Sequence, residues 1–135
     1  MKRSRYSTGT EWEPIVGYSR ATRVGPFVHV SGTTATNDEG QVEGVGDPHA
    51  QMVRTLENIR RALEGVGASL GDVVRTRIYV TDIDQWEAIG RVHGQLFAEI
   101  RPATSMVEVS RLIHPDMLVE VEAEAIVTDP TGGPR

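Results

Sequence analysis

Three glutamates, Glu120, Glu122 and Glu124, alternate with Val119, Val121, Ala123 and Ala125 in the segment Leu118–Val127. A period of two is that of a β-strand, so the carboxylates share one face and the small apolar side chains the other. Alternate residues on a strand lie about 7 Å apart. Carboxylates at that spacing repel one another unless they are solvated or paired. Arg75 and Arg77 alternate in Val73–Thr81 and present matching cations for cross-strand pairing. Two readings stay open for this face. It is a solvated surface with individually weak ion pairs, or it buries against copies of itself and the carboxylates line an interface or cleft. In a cleft, burial would raise a carboxylate pKa into the range useful for proton transfer.

The other chemistry-bearing residues are sparse. His29, His49, His93 and His114 include no pair at metal-ligand spacing, and H-x-x-x-H and H-E-x-x-H are absent. No metal site is expected. The chain has no cysteine, which excludes disulfides, thiolate zinc sites and a cysteine nucleophile. There is no G-x-S-x-G elbow. Ser31-Gly32, at the end of an apolar alternating run, offers a hydroxyl with no base beside it in sequence. Gly44-Val45-Gly46 lacks the remainder of a phosphate loop and reads as a flexible loop. His93 lies on a helical apolar stripe and reads as a packed or interfacial residue; His29 fits either core or cleft.

The elements that must position these residues follow from periodicity. Tyr18–Arg23 and Phe27–Ser31 read as a hairpin about Val24-Gly25-Pro26. A helix begins at Asp47, an N-cap followed by proline at the first helical position. Its stripe is Met52, Val53, Leu56, Ile59, Leu63 and Val66, with Glu57 and Arg61 four apart on the polar side. Val73–Thr81 is a strand, with Val74, Thr76, Ile78 and Val80 on one face and Arg75, Arg77 and Tyr79 on the other. A second helix starts at Asp84, with Glu87 in a capping-box position and a stripe of Trp86, Ile89, His93, Leu96 and Ile100. Arg101-Pro102 stops it. Strands follow over Ala103–Ser110 and Leu118–Val127. The order β-β-α-β-α-β-β predicts an α+β sandwich, one mixed sheet with two helices on one face.

Length and composition agree with one domain. The chain has 135 residues, 39% apolar and 24% charged, enough for a core. Residues 14–127 form the domain in this reading, with flexible segments at 1–13 and 128–135. No apolar run is long enough for a membrane span and none follows the basic N-terminus, so the cytoplasm is the expected compartment. Fourteen basic against nineteen acidic residues give a net charge of −5, and Lys2 is the only lysine. The basic residues form no stripe, which counts against nucleic acid as a partner.

Several segments resemble the RidA/YjgF family of reactive-intermediate deaminases. They are Gly25-Pro-Phe-Val-His-Val-Ser-Gly32, Leu56–Val73, Arg77-Ile-Tyr-Val-Thr-Asp-Ile-Asp84, Arg101-Pro-Ala-Thr-Ser-Met-Val-Glu-Val109 and Leu118-Val-Glu-Val-Glu-Ala123. The resemblance spans about Tyr18 to Val127. It implies a fold like that of trimeric chorismate mutase, a homotrimer, and small-molecule clefts between subunits. It also implies hydrolysis of enamines and imines to oxo acids and ammonia without a cofactor. By the same resemblance Glu120 falls on the glutamate that positions or activates water. Tyr18, Ser31, Gly32, Thr104, Ser105, Met106 and His93 fall on or beside the substrate.

Two positions depart from the deaminase pattern. Thr104 stands where the family has an arginine that holds the substrate carboxylate, in Pro102-Ala-Thr-Ser105, and Gly90 stands where an asparagine is usual. A threonine hydroxyl cannot replace a charge-assisted bidentate contact. Three consequences are open. Another arginine reaches the cleft from a neighbouring subunit, with Arg20, Arg101 and Arg111 as candidates; or the substrate lacks a carboxylate; or the trimer binds metabolites without turnover.

Overall fold

The computed structural model describes residues 1–128. Its elements are β1 (Arg3–Tyr6), α1 (Trp12–Val16), β2 (Ala21–Val24), β3 (Phe27–Thr33), α2 (Pro48–Gly65), β4 (Val73–Val80), α3 (Trp86–Phe97), β5 (Ala103–Glu108) and β6 (Val119–Ile126). Six strands form one mixed sheet in the order β1-β2-β3-β6-β4-β5, parallel only between β4 and β5. This is the expected α+β architecture with two additions. Residues 1–13, expected to be flexible, contain an edge strand paired with β2 and the start of a short helix. The expected tail falls, from residue 129 onward, outside the described residues.

The alternation in β6 sets the layers. Val119, Val121, Ala123 and Ala125 are buried beneath the long helices with Val28, Val30, Ile78 and Val80. From α2 the core takes Met52, Leu56, Ile59 and Leu63, and from α3 it takes Ile89, Val92 and Phe97. Asp47 caps α2 as expected: its carboxylate accepts from Ala50 N at 3.0 Å, with Pro48 beginning the helix. Such a cap contributes about 1 kcal/mol.

Some assignments differ from the sequence reading. Val53 is exposed, and the buried face of α2 includes Gln51 and Thr55 instead. Gln51 is fully buried because its amide is fully used. It donates to the carbonyls of Gly44 and Asp116 and accepts from Leu118 N at 2.8 Å. Val74 is exposed and Val73 buried, because a register shift between Val73 and Arg75 inserts a residue against β6. The chain enters α3 through a 3-10 turn over Ile83–Gln85, where Asp82 accepts from Asp84 N; Glu87 pairs with Arg91 rather than closing a capping box. Trp86 is exposed as a result.

The N-terminal segment is organised by a buried glutamate. Glu13 accepts from Ser7 Oγ, from Thr8 Oγ1 at 3.0 Å, from Thr10 Oγ1 at 2.8 Å and from Thr10 N at 3.1 Å. Burial pushes its pKa up, but the hydroxyl and amide donors from Ser7, Thr10 and Thr8 outweigh burial and hold it down at about 2.

Candidate functional site: Glu120 at the β3 bulge

The pairing of β3 with β6 is regular from Phe27–Ile126 to Val30–Ala123, and resumes at Thr33–Val121. Ser31 and Gly32 therefore form a bulge, the device that locally bends a strand and re-aims its neighbours. Ser31 is held there by its own groups: Oγ donates to Ser19 O at 2.6 Å and N donates to Arg20 O at 3.0 Å. Gly32 lacks a side chain, and the Glu120 carboxylate fills the space. A Cβ built on Gly32 would lie 1.9 Å from Glu120 Oε2 and 3.0 Å from its Cδ.

Arg20 closes this cluster. Its Nη2 donates to Gly32 O and to Thr33 Oγ1, the latter at 3.3 Å. Its guanidinium carbon sits over the Tyr18 ring, 5.4 Å from the centroid, a cation–π arrangement. Thr33 Oγ1 in turn donates to Ser31 O at 2.7 Å. Tyr18, Ser31, Gly32 and Glu120, four of the residues named from sequence, thus meet at one place.

The electrostatics of Glu120 follow from this packing. Burial raises its pKa above the ordinary carboxylate range; the Arg20 charge draws it down, and Glu122 adds a further upward push. Among the described residues no donor hydrogen-bonds the Glu120 carboxylate and no cation forms an ion pair with it. Its neighbours on the same face are otherwise engaged. Tyr79 Oη donates to Glu122, and Arg77 pairs with Glu124 at 2.6 Å. The Arg77 bond holds the Glu124 pKa down. His29 is exposed on this face, opposite Glu124. The cross-strand pairing expected from the alternation is therefore present for Glu124, while Glu120 is left with an unused carboxylate.

His93, Thr104 and Met106 lie elsewhere in the chain. Thr104 pairs with Thr76 across the parallel β4–β5 ladder, and both point to the helix side of the sheet. Thr76 Oγ1 is 2.9 Å from His93 Nε2 and 2.8 Å from Thr104 Oγ1, and Thr104 Oγ1 also reaches Pro102 O at 3.2 Å. The His93 ring rests against Phe97, with centroids 4.6 Å apart. Burial lowers the His93 pKa. Met106 packs on the same side against the core. Ser105 has the opposite orientation, on the carboxylate face in register with Arg77. A cavity of about 340 Å³ opens beside His93, lined also by Gly94, Phe97, Ala98, Arg101 and Pro102. Arg101 adopts a left-handed backbone, φ 51°, as the chain turns from α3 into β5.

Sequence reading missed Thr76 as the link between His93 and Thr104. It considered Arg20 only as a group from a neighbouring subunit, whereas Arg20 sits in the same chain as Glu120. Alternation gives no signal for it, because Tyr18 and Arg20 precede β2, which begins at Ala21 rather than at Tyr18 as the sequence reading expects. Among the described residues no three His, Asp or Glu side chains are grouped so as to hold a metal ion. No helix among them is long and apolar enough to cross a membrane.

Comparison with known proteins connects this arrangement to relatives. Residues 8–127 match the family model described as endoribonuclease L-PSP. A RutC family protein of Pyrococcus abyssi is 41% identical over 113 residues, covering 84% of this chain and 88% of that protein. The 3-aminoacrylate deaminase RutC of Acinetobacter baylyi is 37% identical over 114 residues, covering 84% and 90%. Among solved structures, a Mycobacterium tuberculosis member of the YjgF/YER057c/UK114 family superposes with a TM-score of 0.85 at 53% identity, covering 93% of this chain and all of that one. Escherichia coli TdcF with bound serine gives 0.75 at 29% identity, covering 82% and 88%. With the fold, the bulge at Ser31-Gly32 and the glutamate against it all in hand, the chain belongs to the endoribonuclease L-PSP family, the YjgF/RidA family that its sequence motifs resemble.

Proposed function

We propose that the protein is a cofactor-independent hydrolase of small enamines or imines, working as a homotrimer with Glu120 acting on water in a cleft between subunits. The observation that carries this reading is the Glu120 carboxylate itself. It is half-buried, packed on Gly32, raised in pKa and, among the described residues, bonded to no donor. A carboxylate held this way is free to accept a proton from water and return it. In the imine tautomer, water adds to the C=N carbon as Glu120 takes its proton. The nitrogen then receives protons, the C–N bond breaks, and an oxo compound and ammonia leave. The added water supplies the oxygen and both transferred protons, the third hydrogen of ammonia is the imine's own, and with no change of oxidation state no oxidant is required. A relative bearing the name 3-aminoacrylate deaminase supports the reaction class.

The trimer reading draws on the sheet. Its carboxylate face has no helix over it among the described residues, yet it exposes Phe27, Ile126 and Val107 beside the ion pairs. A second copy of this chain fits such a mixed surface. Light scattering coupled to gel filtration tests the assembly, with three copies expected and a monomer contradicting it. Release of ammonia from enzymatically generated 2-aminoacrylate tests the chemistry. Acceleration that Glu120→Gln abolishes is expected, and no acceleration over buffer would remove this activity.

A second reading, a metabolite-binding trimer without turnover, is favoured by Thr104. Its hydroxyl is committed to Thr76 and Pro102 and carries no charge. Ligand binding indifferent to Glu120→Gln, without turnover of any imine, would support it.

A further inference from the structure

We propose that Arg20 is the group that selects anionic ligands at the Glu120 site, binding a small carboxylate from the same chain that supplies the glutamate. The inference rests on the hydrolase reading for its substrate, but its geometry stands independently.

Arg20 is pre-oriented. Nη2 is committed to Gly32 O and Thr33 Oγ1, and the guanidinium plane lies over Tyr18. Fixing the fork beforehand lowers the ordering cost of binding. Nη1 and Nε remain: among the described residues neither donates to any acceptor. The side chain is partly exposed, so a ligand can reach it. Arg20 is also close enough to Glu120 to draw its pKa down, yet the two form no ion pair. A ligand carboxylate on Nη1 would therefore be held near the carboxylate that handles water.

The two arginines that β4 presents on this side of the sheet are less suited. Arg77 is paired with Glu124. Arg75 lies opposite Glu124, four residues along β4 from Tyr79, which faces Glu120; that is about 13 Å of strand. Thr104 sits on the helix side and cannot serve from within the chain. Because Nη2 is already occupied, the contact is a charge-assisted bond from Nη1 rather than a full fork. A preference of about ten- to a hundredfold for the anion is the corresponding scale.

The test compares pyruvate with its neutral amide, pyruvamide, by calorimetric binding to the full-length protein, alongside KM and kcat for 2-aminoacrylate. Wild type is expected to prefer pyruvate by that factor. Arg20→Gln should abolish the preference, weakening pyruvate about ten- to a hundredfold and pyruvamide far less, and Arg20→Lys should restore part of it. KM should rise with the lost preference and kcat should change less. A purely structural role would weaken both ligands together. Retained preference in R20Q, or none in wild type, overturns the proposal. Wild-type turnover with R20Q unchanged sinks Arg20 but not the hydrolase. Arg20-dependent pyruvate binding without turnover sinks the hydrolase but not Arg20. Should R20Q fail to fold, phenylglyoxal labelling of wild type mapped by mass spectrometry decides. Protection of Arg20 by pyruvate and not by pyruvamide is expected, and equal labelling with and without pyruvate overturns the proposal.

Discussion

The Glu120 carboxylate occupies the volume that a side chain on Gly32 would need, with Oε2 only 1.9 Å from where that Cβ would stand. Gly32 does not have a positive φ, so an alanine is acceptable to the backbone there. The atom it would strike is the far end of a flexible side chain. Gly32→Ala is therefore expected to change stability by less than about 1 kcal/mol. It should nonetheless displace the carboxylate and lower turnover about a hundredfold, the scale of an ångström's misplacement. Chemical denaturation and the ammonia assay, run on the same preparation, check both halves. Full activity in G32A would show that the Glu120 position is immaterial.

Glu120 should also register in the pH dependence. Burial raises its folded pKa above the value in the unfolded chain. Ionisation is thus unfavourable to the fold at neutral pH, and the effect vanishes once pH falls below the ordinary carboxylate value, where both states are protonated. Glu120→Gln is expected to gain stability relative to wild type at pH 7 and not at pH 4. The same substitution should lower kcat about 10²- to 10⁴-fold if the carboxylate transfers the proton. In wild type, the acidic limb of kcat/KM should lie above the ordinary carboxylate range. Denaturation series at the two pH values and a pH–rate profile measure these effects.

Glu13 has the opposite sign. Its donors hold its pKa at about 2, below the ordinary carboxylate value of 4.5. The stabilisation is complete above 4.5 and is lost as pH falls toward 2. Glu13→Gln, which keeps the shape but removes the charge, is expected to cost about 1–3 kcal/mol at pH 7. The loss should shrink on acidification. Amide hydrogen exchange should show β1 and α1 loosening first, since Ser7, Thr8 and Thr10 all converge on this carboxylate.

Thr76 is buried between His93 and Thr104. Thr76→Val preserves its volume but removes the hydroxyl that both partners use. A loss of about 1–3 kcal/mol is expected from the polar groups left without a partner. Burial also disfavours the charged His93 ring. The unfolded chain therefore takes up the proton first, and wild-type stability should decline as pH falls below 6.5. His93→Phe should flatten that decline, as followed by thermal unfolding between pH 5 and 8.

Legibility from sequence was greatest where one period dominates. The β6 alternation separated Val119, Val121, Ala123 and Ala125 from the three glutamates, and the structure buries the first set and leaves the second on the open face. The Asp47–Pro48 start of α2 was equally readable, because its cap is a local interaction. What failed was not local. Val74 is turned outward by a register shift that only its partner strand reveals. The N-terminal strand was hidden because Arg3–Tyr6 is polar and owes its place to pairing with β2. At the site, Tyr18, Ser31, Gly32 and Glu120 came from motif context. That Thr104 and Ser105, adjacent in sequence, face opposite sides of the sheet follows from strand geometry once β5 is placed. The Thr76 link needed the parallel register, which no single segment encodes.

The buried amide of Gln51 has a consequence for how this chain can vary. It fastens Asp116 and Leu118, the last residues before β6, to helix α2. The starting point of the strand that carries Glu120 is thereby anchored independently of its sheet neighbours. The excursion over residues 109–116 can then lengthen, shorten or change sequence on the outside of the molecule while the glutamate two residues past the anchor keeps its station.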